Sequence, residues 1–159
     1  MRATAAPART VSAAEAAGLV RSGMWLDYGG ILCQPDVFDR ALAARKDELR
    51  DVRIRACLAL NPRAVIQVDP ADEHFHWFSQ HLSGWERAHN IDGRINYQPV
   101  HLGELPDWYR RFIDPVDIVI LKTCAMDGDG WFNFSGSNLW HRAVIERAKT
   151  VIVEANGGM

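Results

Sequence analysis

Residues 125–140, AMDGDGWFNFSGSNLW, bring two aspartates, two serines, two asparagines and four aromatics into one segment. Closely spaced carboxylates can hold a hard cation through oxygen ligands. The calcium-loop pattern needs Asp or Asn at its fifth place, Gly at the sixth and Glu at the twelfth, where this chain has Trp131, Phe132 and Asn138. A turn accounts for residues 127–130 better, because Gly128 and Gly130 accept positive φ and Asp127 and Asp129 can bond their own backbone. Beyond the turn, Trp131, Phe132 and Phe134 alternate with Asn133 and Ser135, which puts polar groups on one side of an extended segment. The aromatics are expected in the core, and Ser137 is expected to cap the helix that follows.

Three other clusters could carry chemistry. HFHWFSQHLSGWERAH holds His74, His76, His81 and His89, but no carboxylate or cysteine stands at a metal-ligand spacing, so packed, hydrogen-bonded histidines are the simpler reading. YGGILCQP follows an apolar run and precedes a helix start, as a phosphate cradle would, yet it completes neither G-x-G-x-x-G nor the Walker pattern. Cys33 and Cys124 lie near strand ends without a histidine at a pairing distance, which favours small apolar roles over nucleophilic ones.

The elements that must position these groups alternate between helix and strand. Ser12 and Glu15 form a capping pair for a first helix with Ala16, Leu19 and Val20 on one face, stopped at Gly23. MWLDY (24–28) reads as a strand. Pro35 opens a second helix that carries Val37, Phe38, Ala41, Leu42 and Leu49 inward, with Asp36 at its start and Arg45, Lys46 and Arg50 at its end to match the dipole. Strands follow at 52–60, at 95–102 as an edge strand limited by Pro99, at 116–124 buried on both faces, and at 150–156. Helices are expected at 106–112 and 137–148. This is the pattern of an α/β fold, a mostly parallel sheet with flanking helices, preceded by a loose tail over residues 1–10 and occupying 11–159. Ligands in such sheets bind beyond the carboxyl ends of strands, which directs attention to 29–34, 61–63, 125–136 and 155–159.

Composition bounds the function. A chain of 159 residues, 48% apolar, supports one domain of ordinary core size. A net charge of −2 without a basic stripe argues against nucleic acid, and no apolar run reaches the roughly 20 residues of a membrane span. Three separated cysteines suit reduced thiols in a cytoplasm. VIVEANGGM follows a core strand with no terminal helix to cover the edge, which predicts an incomplete domain: a truncated gene product, an engineered half or one subunit of a split enzyme.

Taken in order, SAAEAAGLVRSGMWLDYGG, PDVFDRALAARKDEL, FSQHLSGWERAH, PVDIVILKTCAMDGDGWFNFSGS and AKTVIVEAN resemble the N-terminal half of the acetyl-CoA hydrolase/transferase family, over nearly the whole chain after about residue 10. Its butyryl-CoA:acetate and 4-hydroxybutyrate CoA-transferases are the members most resembled. The resemblance implies a half-enzyme. In the family a glutamate of the second half attacks an acyl-CoA thioester to give an acyl-glutamyl anhydride. CoA thiolate then returns to form a glutamyl-CoA thioester, which the incoming carboxylate attacks. That glutamate and the glycine-rich CoA segment match nothing here, and Glu154 matches a strand-end residue and not the nucleophile.

The chain is therefore expected to hold no catalytic residue, no metal and no permanently bound cofactor, with a coenzyme A thioester as substrate. Its implied partners are the C-terminal half or a second copy of the chain, an acyl-CoA and a short-chain carboxylate. Residues 125–136 are expected to line the acyl or carboxylate side of a cleft through Asn133 and Ser135. Gly29, Gly30 and Gln34 form the facing loop, Asn61 gives a third contact, and Arg87 attracts a carboxylate or CoA phosphate. Each has an ordinary counterpart: Asn133 as turn former, Gln34 as helix cap, Arg87 as surface charge. The alternatives are an acyl-CoA hydrolase half, an inactive module that dimerises through its open sheet edge, and a metal binder using the histidines.

Overall fold

A computed structural model describes residues 8–134 and 136–158. Apolar alternation and β-branched runs build six strands: β1 Trp25–Gly30, β2 Val52–Cys57, β3 Phe75–Ser79, β4 Ile95–Tyr97, β5 Ile118–Cys124 and β6 Thr150–Asn156. They form one sheet in the order β4-β3-β2-β1-β5-β6, and every neighbouring pair is parallel. The chain steps one way from β1 to β4, then crosses to β5 and β6 on the other side of β1. The reversal between β1 and β5 is the topological switch point, where crevices form in such sheets.

Helices α1 Ala13–Ala17, α2 Val37–Ala43, α3 Ala64–Val68 and α4 Gly84–Ile91 lie on one face, and α5 Leu105–Arg111 and α6 His141–Arg147 on the other. The two-residue period of the strands divides their side chains accordingly. Leu26, Tyr28, Ile54, Trp77 and Ile120 join the core beneath α1–α3, whereas Cys57, Val119 and Leu121 join Leu105, Tyr109, Trp140 and Val144.

The Ser12–Glu15 capping box forms as predicted, with Ser12 Oγ accepting from the Glu15 N–H at 3.2 Å and Glu15 Oε2 from the Ser12 N–H at 2.8 Å. α1 ends at Ala17, however, so Gly23 makes the turn into β1 at φ +80° and Leu19 is exposed. α2 stops at Ala43 and does not run to Arg50. Arg45 turns back to the Ala17 and Val20 carbonyls, satisfying the end of α1 in place of the α2 dipole. Val37 stands 49% exposed at the rim, and Leu49 is buried from the segment after α2.

The His-rich segment is where the sequence reading missed structure. Phe75, Trp77 and Ser79 are buried alternately in β3, an interior strand, and Ser83 with Glu86 caps α4 by a second capping box. Glu86 is fully buried because its carboxylate accepts from the Ala59, Ser83 and Trp77 N–H groups at 2.8–3.0 Å. On the opposite face Asp27 and Arg55 form a buried pair at 3.0 Å, with Arg55 stacked 4.0 Å above the Trp25 ring.

Candidate functional site at the carboxyl rim

The switch point is sealed by the chain itself. Gly30 N–H donates to His141 Nε2 (3.3 Å), Leu32 N–H to Ser137 Oγ (3.2 Å), and the Cys33 thiol to the carbonyls of Phe134 and Ser137 (3.2 Å each). Ser137 therefore stitches this seam and does not cap α6, which starts four residues later. His141 lies between the Phe134 and Trp140 rings, and burial lowers its pKa from 6.5 to about 4. Gly29 and Gly30 belong to β1 and have no open side. A Cβ on Gly29 would stand 2.7 Å from the Cys33 carbonyl oxygen, and one on Gly30 2.3 Å from the Trp140 ring. They are glycines for space, and the positive φ that a glycine pair suggests falls instead on Ile31 (φ 56°).

Two basins flank the seam. The larger, about 620 Å³, lies between the start of α2, Asn61-Pro62 and the end of β6. Its carboxylates are committed. Glu154 accepts from the N–H groups of Asp36, Val37 and Phe38 at 2.8–3.0 Å, so a strand-end glutamate caps α2. Asp36 holds Lys122 at 2.6 Å and Arg63 at 3.0 Å. Burial pushes Asp36 up, but these two cations outweigh it and keep the carboxyl below its ordinary value. Neither acid has the freedom of a nucleophile.

The smaller basin, about 160 Å³, opens on the α5 side beyond β1, β2 and β3. Its floor is Ile31, Leu58 and Gln80, and Val100, Leu102, Leu105 and Leu139 wall it. Leu58, like Ile31, has a left-handed backbone (φ 54°), a conformation costly for both side chains. Gln80 is braced from below. Arg55 holds Asp27, the Tyr109 hydroxyl donates to Asp27, and Gln80 Nε2 donates to the Tyr109 oxygen at 3.3 Å.

The predicted contacts are dispersed. Asn61 lines the larger basin. Gln34 is buried, its Nε2 donating to the Cys57 carbonyl at 3.0 Å, so it braces the end of β2 and does not cap α2. Asn133 is exposed and its carbonyl accepts from Cys124 N–H at 2.9 Å. Arg87 sits on α4 at the far side of the sheet, bonded to the Leu82 carbonyl, and lines neither basin. Ser135 lies outside the described residues. The turn at 127–130 forms, with Asp127 Oδ1 accepting from the Asp129 and Trp131 N–H groups, though only Gly130 of its glycines has positive φ. Trp131 is 65% exposed and not in the core.

Burial pushes the Cys33 thiol to about 11 and Cys57 to about 12, so neither is a thiolate at neutral pH. His74 engages the Leu49 carbonyl and His76 engages Asp51 and Asp72. Among the described residues no group of three or more His, Cys, Asp or Glu side chains is placed to hold a metal. Among them, too, no helix is long and apolar enough to cross a membrane.

The sequence profile of the acetyl-CoA hydrolase/transferase N-terminal domain matches residues 3–159. The chain belongs to this family. It is 39% identical over 148 residues to the butyryl-CoA:acetate CoA-transferase of Anaerostipes caccae, and 41% identical over 152 residues to the probable butyrate:acetyl-CoA coenzyme A-transferase of Syntrophomonas wolfei. These alignments cover 93% and 95% of this chain but 33% and 34% of those proteins, so the chain spans about a third of the curated relatives it matches. The fold is that of RipA from Yersinia pestis, with a TM-score of 0.81 at 22% identity over 94% of this chain and 37% of RipA. Within this family member, the smaller basin is what sequence reasoning missed. Its floor turns at Ile31 and Leu58, residue types that disfavour positive φ, so no turn signal marks them.

Proposed function

We propose that the chain forms one wall of a short-chain acyl-CoA:carboxylate CoA-transferase, working in the cytoplasm with a C-terminal half that supplies the catalytic glutamate. The observation that carries this reading is near end-to-end alignment, at 39–41% identity, with a third of two CoA-transferases named for butyrate and acetate. The carboxylates at the rim agree with it, since Glu154 and Asp36 are both engaged in holding structure and leave the nucleophile to another segment. In this reading residues 11–159 act as a domain whose two rim basins meet the thioester and the incoming acid. Asn61 touches ligand in the larger basin, while Gly29, Gly30 and Gln34 shape the rim from beneath. Asn133, Ser135 and Arg87 meet ligand or partner only in the assembled enzyme.

The chain, mixed with the C-terminal two-thirds of the Anaerostipes enzyme and supplied with butyryl-CoA and acetate, is expected to form acetyl-CoA, while neither part alone does so. Acetyl-CoA is read by chromatography. A folded complex that makes none, or turnover by this chain alone, overturns the reading. Release of free CoA without acetate makes the assembly a hydrolase.

A further inference from the structure

We propose that Asn156 is a site of spontaneous modification, at which the backbone nitrogen of Gly157 attacks the side-chain amide and leaves an aspartyl or isoaspartyl residue on the rim of the larger basin. Sequence singles this position out. Of the six asparagines, Asn156 alone precedes a glycine. Asn61 precedes Pro62, whose nitrogen has no proton to give up, and Asn90, Asn96, Asn133 and Asn138 precede Ile91, Tyr97, Phe134 and Leu139, whose side chains crowd the approach. The structure then presents it. Asn156 ends β6, an edge strand of the sheet, and both it and the turn at Gly157 and Gly158 are exposed. A Cβ on Gly157 would meet nothing within 4 Å, which leaves room for a ring to close. Asn156 Oδ1 accepts from the Gly158 N–H at 2.8 Å, which folds the side chain forward past the Gly157 nitrogen and draws electrons from the amide carbon. By contrast, the amide nitrogens of Asn90 and Asn96 are tied to the Ile95 and Trp77 carbonyls at 2.7 and 3.2 Å.

Water is the sole co-reactant. A bond forms between the Gly157 nitrogen and Asn156 Cγ, the bond from Cγ to the amide nitrogen breaks, and ammonia departs with the proton that Gly157 gave up, leaving a cyclic imide. Water then opens the ring at either carbonyl. Opening at Cγ leaves aspartate with the main chain restored, and opening at the main-chain carbonyl leaves isoaspartate, with the chain rerouted through the side chain. Either product puts a third carboxylate on a basin already edged by Asp36 and Glu154, with Arg40 the one cation among its lining residues. Added like charge makes the basin less hospitable to an anion.

The test is incubation of the folded 159-residue chain at neutral pH in heavy-oxygen water, followed by peptide mapping. The fragment after Lys149, whose single asparagine is Asn156, is expected to lose its amide, take up heavy oxygen and split into aspartyl and isoaspartyl forms. It is expected to do so at least about tenfold faster than any fragment holding another asparagine, while an acidic isoform accumulates on ion exchange. Gly157→Ala, whose methyl has open space and whose backbone is not left-handed, is expected to stay folded and to slow the conversion about tenfold. Asn156→Asp is expected to elute with the acidic isoform before any incubation. An amide retained at Asn156, equal conversion at the other asparagines, no uptake of heavy oxygen, or an unchanged rate in folded Gly157→Ala overturns the proposal. Every readout is a mass or a charge, so the outcome is independent of whether the mixed enzyme turns over.

Discussion

The two faces of the sheet solve the same problem, covering a parallel sheet, with opposite chemistry. On α2 a buried ionisable group is an acid: Asp39 is 2% exposed, accepts from the Ala64 N–H at 2.6 Å, and is raised by burial from 3.8 to about 6. On α6, beside the buried Asp27–Arg55 pair of the same face, it is a base, His141, held at about 4. The basin on the first face is wide and edged with carboxylates and Arg40, while the basin on the second is small and apolar. The difference teaches that the seam between residues 30–33 and 134–141 divides one rim into two environments, so a charged and an apolar part of a ligand can be met on separate sides of a single sheet.

The largest expected effect tests the second face. Arg55→Met removes the partner of a buried carboxylate and is expected to cost about 3–5 kcal/mol in chemical denaturation, unless Asp27 escapes to water. A loss below about 1 kcal/mol would mean that this face is less dry than its burial states.

The pH dependence sharpens the contrast, because Asp39 and His141 carry opposite signs. Asp39 holds a proton in the folded chain between 3.8 and about 6 that the unfolded chain has lost. Its contribution is fully present below 3.8 and is lost as pH rises through about 6. For His141 the unfolded chain takes the proton first, so its contribution is present above 6.5 and is lost as pH falls through about 4. Each is worth about 3 kcal/mol, and they offset one another across the shared window. Asp39→Asn is expected to make stability fall more steeply on acidification between pH 6 and 4, and His141→Gln to make it fall less. Parallel curves for the two variants and the parent would remove the contrast.

Next comes the seam. Gly30→Ala drives a methyl into the Trp140 ring and is expected to cost about 1–3 kcal/mol, against less than about 0.5 kcal/mol for Gly128→Ala, where a Cβ meets nothing within 4 Å. Equal urea midpoints for the two would show that the seam is loose. The smallest effect belongs to the first face. Glu154→Gln weakens the charge-assisted cap on α2 by about 1 kcal/mol, read from the thermal midpoint at neutral pH, and an unchanged midpoint would reduce Glu154 to a surface acid.

Much of this architecture was legible in advance. The β-branched run at 118–124, the capping pair at Ser12 and Glu15, and the edge position of the strand before Pro99 rest on local propensity, and each stands where it was expected. β3 and α4 were legible too: the alternation of Phe75, Trp77 and Ser79 and the Ser83-x-x-Glu86 box are present in the letters, masked by the attention that four histidines attract. The site was less legible. Gly29, Gly30 and Gln34 suggested an open loop, yet they are held by Leu121, Trp140 and Cys57, residues distant in the chain that meet only at the switch point.

By itself the sequence determined the alternation of strands and helices, the parallel class of the sheet and the family, because periodicity, capping and motif order are properties of neighbours along the chain. Only the tertiary structure decided which carboxylates are consumed as caps and pairs, where the rim is sealed, and which residues floor the smaller basin. Those outcomes depend on contacts such as Asp36 with Glu154 or Gly30 with Trp140, separated by more than a hundred residues, and on a left-handed backbone at Ile31 and Leu58 that packing imposes against their own preference.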